Sequence, residues 1–219
     1  MIISPVVLKL TWEALQETLL MVGVATVLAE LGGLPLGVLL VTTAPGRILA
    51  SPRLHHVLGL IVNVGRSIPF IILMVAIIPF TRWLVGTSIG TTAAMVPLTV
   101  AAIPYVARLV ESSLNEVDPG VVEAAVAMGA TPWQVIWKVY LPEAVPSLIL
   151  GGTITAITLV GYSAMAGAVG GGGLGDLAIR YGYQRFRTDV MLVTVAVLVV
   201  LVQGIQYLGS YWARRLDRR

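Results

Sequence analysis

Hydrophobic residues run through this chain in five long blocks, separated by short polar intervals. The blocks at roughly 18–41, 57–80, 90–109, 147–168 and 189–210 each supply about 20 mostly apolar residues, the length of helix that crosses a bilayer. No charge falls between Arg82 and Arg108, and none between Glu143 and Asp176, so the third and fourth blocks read most cleanly as spans. Prolines punctuate the first three: Pro35 after Gly32 and Gly33, then Pro69 and Pro79, then Pro97 and Pro104. Each predicts a kink or break, because proline lacks an N–H and crowds the preceding turn. Three such helices in a row point to a polar path or moving gate, although membrane helices also tolerate proline for purely structural reasons.

The interval 118–142 has a different character. Asp118 before Pro119 is an N-cap acceptor with proline at the first helical position, where a missing N–H does no harm. Gly129 offers a left-handed stop. Thr131 and Gln134 form a capping box for a second helix, with Pro142 as its expected end. On the first helix Val121, Ala124, Ala125 and Met128 share one face at i, i+3, i+4, i+7, Ala127 and Ala130 keep the rest small, and Glu123 is the main charge. Such a helix can seat deeply in a groove. The second carries Trp133, Ile136, Trp137 and Tyr140, an aromatic stripe suited to a membrane interface. An ordinary cytosolic loop with a short amphipathic helix has the same periodicity, so spacing alone leaves both readings open.

Composition sharpens the class. Of 219 residues 57% are hydrophobic and 11% charged, against about 25% charged in soluble domains. This predicts an all-α integral membrane protein, a single transmembrane domain over 1–219. The net charge of +3 and pI near 9.4 do not indicate nucleic-acid binding, because the cations are spread over the intervals between spans. With no cysteine, disulfides and thiolate metal sites are excluded. The first ten residues, with Pro5 and Lys9, do not read as a cleavable signal. All five tryptophans fall outside the expected span cores, as an interfacial belt requires. Five spans put the termini on opposite sides. With the C-terminus inside, the inner intervals collect nine cations, among them Arg47, Arg53, Arg108 and Lys138, and the outer ones five. The expected topology is therefore N-out/C-in, with 118–142 in the cytoplasm between spans 3 and 4.

Candidate chemistry is sparse. Glu30 in the first span is an intramembrane carboxylate; it either serves a functional site or faces a partner helix, and no second buried charge pairs with it. His55 and His56 are adjacent, pointing to different helix faces, which disfavours chelation by the pair. Arg66 sits about two turns inside the second block, where it snorkels or anchors the inner end of a pathway. The fourth block ends in Tyr162, Ser163 and Met165, followed by Gly170 to Gly173 and Gly175. This run matches G-x-G-x-x-G, but no strand precedes it, so a glycine hinge flanking a gate is preferred to a dinucleotide site. Met165, flexible among small residues, is placed to plug a narrow pore; packing against a dimer partner explains it equally well. No Walker A sequence, Ser-His-Asp set or H-E-x-x-H occurs, so neither nucleotide hydrolysis nor an intramembrane hydrolase is supported. A self-powered channel or secondary carrier remains the rival class, although it would want several buried ionisable groups or an inverted repeat.

Glu123-Ala124-Ala125, three residues, Gly129, and about ten more to Leu141-Pro142 resembles the EAA loop of ABC-importer permeases. The family's isoleucine two positions before Leu-Pro is replaced here by Val139. Arg66-Ser67-Ile68-Pro69-Phe70-Ile71, Val96-Pro97-Leu98-Thr99 and Gly161-Tyr162-Ser163-Ala164-Met165 are similar to the methionine-importer permeases, over nearly the whole chain. The resemblance implies a coupling helix in the cytoplasmic loop, with Glu123, Ala124, Ala125 and Gly129 as its family positions and Met128 and Ala130 beside them at the ATPase-coupling interface. It implies a multi-pass cell-membrane permease, not an enzyme, that works as a homodimer with two ATP-binding cassette subunits and an extracytoplasmic methionine-binding protein. The chain itself would hold no cofactor; ATP and Mg would be bound by the partner ATPase. Tyr162, Ser163, Met165 and Arg66 are the candidate pathway and gate residues. Permeases for other amino acids or compatible solutes share the loop.

Overall fold

The computed structural model describes residues 5–217, so residues 1–4, Arg218 and Arg219 of the expected domain lie outside the described residues. Among the described residues every regular element is helical: α1 (Pro5–Thr43), α2 (Pro52–Ser67), α3 (Phe70–Ala76), α4 (Ile78–Val85), α5 (Thr91–Asn115), α6 (Pro119–Ala127), α7 (Pro132–Val135), α8 (Leu141–Ala168), α9 (Gly173–Leu177) and α10 (Thr188–Leu216). Two π turns, Ile136–Tyr140 and Ala178–Tyr183, join α7 to α8 and extend α9. Four helical runs, α1, α5, Pro132–Ala168 and α10, are long and apolar enough to cross a membrane, and the bent α2–α3 pair makes a fifth if its halves form one span.

α1 and α5 form the most extensive helix pair. Their close approach depends on small residues: a Cβ on Gly33 would stand 2.5 Å from the Val106 Cβ, and one on Gly37 would stand 2.5 Å from the Val110 Cβ. The buried faces of α1, α5 and α8 share one core that includes Met21, Ala25, Leu98, Val106, Leu114 and Leu159. Outward-facing Leu19, Leu31, Val199 and Val200 are exposed, an apolar surface that only lipid or another chain can cover.

The prolines act unequally. α1 runs through Pro35, and α5 through Pro97 and Pro104, so of the expected kinks or breaks neither helix shows a break. The second block does break. Ile68 is extended (φ −84°, ψ 121°), as a residue before proline tends to be, and α2 and α3 meet at 99°. The helix that begins at Pro132 does not end at Pro142. It passes through Pro142 and Pro146 to Ala168. The π turn just before Pro142 explains this, since the Leu141 N–H reaches back five residues to the Ile136 carbonyl. That wider turn leaves room for a proline ring that would crowd the Lys138 carbonyl in a tight α turn.

Candidate functional site

The segment 118–142 is built from local rules. The Asp118 carboxylate accepts from the Gly120 N–H at 2.7 Å, and Pro119 opens α6. At the other end Gly129 adopts φ +84°, its N–H donates to the Val126 carbonyl at 2.9 Å, and the Ala130 N–H donates to the Ala125 carbonyl at 3.1 Å. These two bonds make a Schellman stop, which requires a left-handed residue at this position. The capping box is complete: the Thr131 N–H donates to Gln134 Oε1 at 2.9 Å and the Gln134 N–H to Thr131 Oγ1 at 3.3 Å. Four residues thus separate two capped helices at a fixed angle.

The faces of α6 divide differently from the spacing. Met128 is 83% exposed and Val121 44%, with Ala124 and Glu123 also at the surface. Ala125, expected among the outward contacts, is 7% exposed and with Val122 joins the core that contains Val135 and Tyr140. Ala130 is partly buried against the same core. The aromatic stripe also splits. Trp133 and Trp137 are exposed and meet edge to face at 5.5 Å, whereas Ile136 and Tyr140 turn inward. The result is a capped, alanine-rich helix with one solvent-facing surface and one surface seated in the bundle.

The candidate gate residues are not gathered at one point. The Tyr162 ring stacks on Phe70 with centroids 4.6 Å apart and planes 6° from parallel, which ties the start of α3 to α8. Ser163 is buried and its hydroxyl donates to the Val160 carbonyl at 2.8 Å. Met165, two residues on and so on roughly the opposite face, is 49% exposed. Arg66 is exposed in the last turn of α2, and no hydrogen bond or ion pair among the described residues joins it to the other three.

The glycine run is a tight turn more than a loose hinge. Gly170, Gly172 and Gly173 all have positive φ. The turn folds α9 back on the end of α8, so closely that a Cβ on Gly175 would stand 2.4 Å from the Ala164 carbonyl oxygen. α9 is capped from another helix: the Gly173 N–H donates to Glu17 Oε2 at 2.6 Å and the Leu174 N–H to Thr18 Oγ1 at 2.9 Å. Neither Glu17 nor Thr18 carries a sequence signal for this role, since 156 residues separate each donor from its acceptor. Glu30 is half-buried on α1 with its carboxylate toward Gly152 of α8, and His55 Nδ1 lies 3.0 Å from the Leu40 carbonyl. Among the described residues no group of three or more His, Cys, Asp or Glu side chains is placed to hold a metal.

The family model for the binding-protein-dependent transport system inner membrane component matches residues 33–219. The probable D-methionine transport system permease protein MetI of Vibrio cholerae is 56% identical over 216 residues, covering 99% of this chain and 94% of that one. Its counterpart in Pasteurella multocida is 50% identical over 216 residues, covering 99% and 100%. A solved structure of the MetNI methionine ABC transporter in inward-facing conformation superposes with a TM-score of 0.97 at 51% identity, over 99% of this chain and 100% of that chain.

Proposed function

Because this chain belongs to the family of binding-protein-dependent transport system inner membrane components, we propose that it is the permease of an ATP-driven methionine importer, worked through the exposed face of α6. It is a multi-pass transport permease and not an enzyme; hydrolysis belongs to a separate ATPase subunit, which also supplies the site for ATP and Mg. The observation that carries the reading is the presentation of Val121, Ala124 and Met128 on a helix capped at both ends and braced from behind by Val122 and Ala125. An exposed apolar face of small residues on a membrane-adjacent helix is suited to a groove in a soluble partner. Glu123 and Gly129 supply its charge and its stop.

Each chain offers one α6, and two ATPases need two, so two permease chains pair isologously. Leu150, Ile154 and Met165 share the exposed face of α8, an apolar surface that such a pairing would cover, with Met165 as gate. Five spans in an N-out/C-in arrangement leave α6 on the cytoplasmic side, as the nine-to-five distribution of cations favours. An extracytoplasmic binding protein delivers methionine from the other side. Closure of the ATPases draws the two α6 helices together and the bundles rock between inward and outward access, which pumps only if substrate affinity differs between the two states.

Reconstitution tests this. Liposomes containing the permease, its ATPase and the binding protein should accumulate methionine only with ATP, and the permease alone should move none. Uptake by the permease alone, without nucleotide, would make it a channel or secondary carrier.

A further inference from the structure

We propose that Arg47 is a positioning residue for coupled transport: its guanidinium joins the cytoplasmic end of α1 to the segments on which α6 rests. This inference rests on the reading of α6 as the ATPase-docking helix.

The loop 44–51 between α1 and α2 turns at Gly46, which has φ +77°. Its backbone is bound to α1, with the Leu49 N–H donating to the Thr42 carbonyl at 2.9 Å and the Ser51 N–H to the Thr43 carbonyl at 2.9 Å. The loop therefore moves with α1. From it Arg47 reaches two other elements. Nη2 donates to Asn115 Oδ1 at 3.1 Å, on the last residue of α5, and Nη1 donates to the Tyr140 hydroxyl at 3.3 Å, on the last residue of the π turn. Tyr140 has no exposed surface, and its ring lies in the core shared by Val122 and Ala125 of α6. A displacement of α6 is thus felt at Tyr140, and through it at the start of α8.

The loop and α6 do not close on each other directly. A cleft of about 470 Å³ separates them, lined by Arg47 and Ile48 on one side and Pro119, Glu123 and Val126 on the other. Ile48 keeps an apolar contact with the core. The side-chain hydrogen bonds that link the loop to Asn115 and Tyr140 are those of Arg47. A planar guanidinium can hold both acceptors at once in fixed geometry, which a single ammonium point charge cannot do as well. Arg47 therefore adds, to the packing that already holds α1 against α5, a polar link from the cytoplasmic end of α1 to Asn115 and Tyr140, so that a pull on α6 reaches the loop as well as α8.

The test uses the whole transporter in liposomes and reads substrate taken up per ATP hydrolysed. Arg47→Ala should lower that ratio about tenfold, the scale of losing charge-assisted hydrogen bonds in a two-state element, while the ATPase still co-purifies. Tyr140→Phe keeps the buried ring and removes only the hydroxyl, so it should lower the ratio in the same direction without unfolding. Arg47→Lys should recover part of it, and the Arg47→Ala, Tyr140→Phe pair should be little worse than Arg47→Ala alone. An unchanged ratio in both single variants, with Gly129→Val still uncoupled, would overturn the role of Arg47 and leave α6 docking intact. If Gly129→Val also transports at the normal ratio, the docking reading itself falls.

Discussion

Replacing Gly129 by valine should give a permease that inserts normally and fails to transport. The position has φ +84°, and nothing lies within 4 Å of where a Cβ would stand. Steric conflict with neighbours is therefore not the issue. The backbone sign is: a left-handed conformation costs an L-residue about 1–2 kcal/mol, and a β-branched side chain makes it rarer still. Valine would pull residue 129 toward ordinary φ, break the Ala130-to-Ala125 bond and swing α6 away from the angle fixed by the Thr131 capping box. We expect ATP-driven uptake to fall by at least about tenfold, with ATP hydrolysis no longer linked to it. Gly129→Asn is the control, since asparagine tolerates the left-handed region, and it should keep most of the uptake. Parallel assays of uptake and hydrolysis decide the matter; equal loss in both variants would point to a requirement other than the turn.

A second glycine should matter for stability instead of coupling. At Gly175 a Cβ would stand 2.4 Å from the Ala164 carbonyl oxygen and 2.5 Å from the Ala164 Cα. Both are backbone atoms of α8 and cannot rotate away. Gly175→Ala should therefore force α9 off α8 and strain the Glu17 and Thr18 bonds that cap it, destabilising the permease by about 3 kcal/mol or more. Gly161 lies on α8 with nothing within 4 Å of its Cβ position, so Gly161→Ala should leave the melting midpoint of the purified protein nearly unchanged. A similar drop in both would mean that the α8–α9 contact is not what the glycine protects.

The parts of this architecture that could be read in advance are those written over a few residues. Asp118-Pro119, Gly129 and the Thr131–Gln134 pair each specify a cap through neighbours two to five positions away, and the structure forms all of them. Which side of α6 faces out could not be read. The helix has nine residues, almost all small and apolar, so Val122 and Ala125 look no more buried in sequence than Val121 and Ala124. Tertiary packing against Tyr140 makes the choice. Pro142 misleads for a related reason: proline's effect depends on the turn before it, and a π turn removes the conflict. Pro69 breaks its helix, while Pro35, Pro97 and Pro104 sit inside continuous ones. The Arg47–Tyr140 and Glu17–Gly173 bonds span 93 and 156 residues, and no periodicity reports such pairs.

The absence of cysteine from the chain allows a direct trial of the proposed docking face. Single cysteines placed at Met128, the 83% exposed cap of α6, and at Ala125, 7% exposed within it, stand about one turn apart. In membranes containing the assembled transporter, a short thiol-to-amine crosslinker should join Met128→Cys to a lysine of the ATPase subunit and leave Ala125→Cys largely unreacted. Absence of a crosslink from Met128→Cys, together with its labelling by a membrane-impermeant reagent added only from the extracytoplasmic side, would contradict the account.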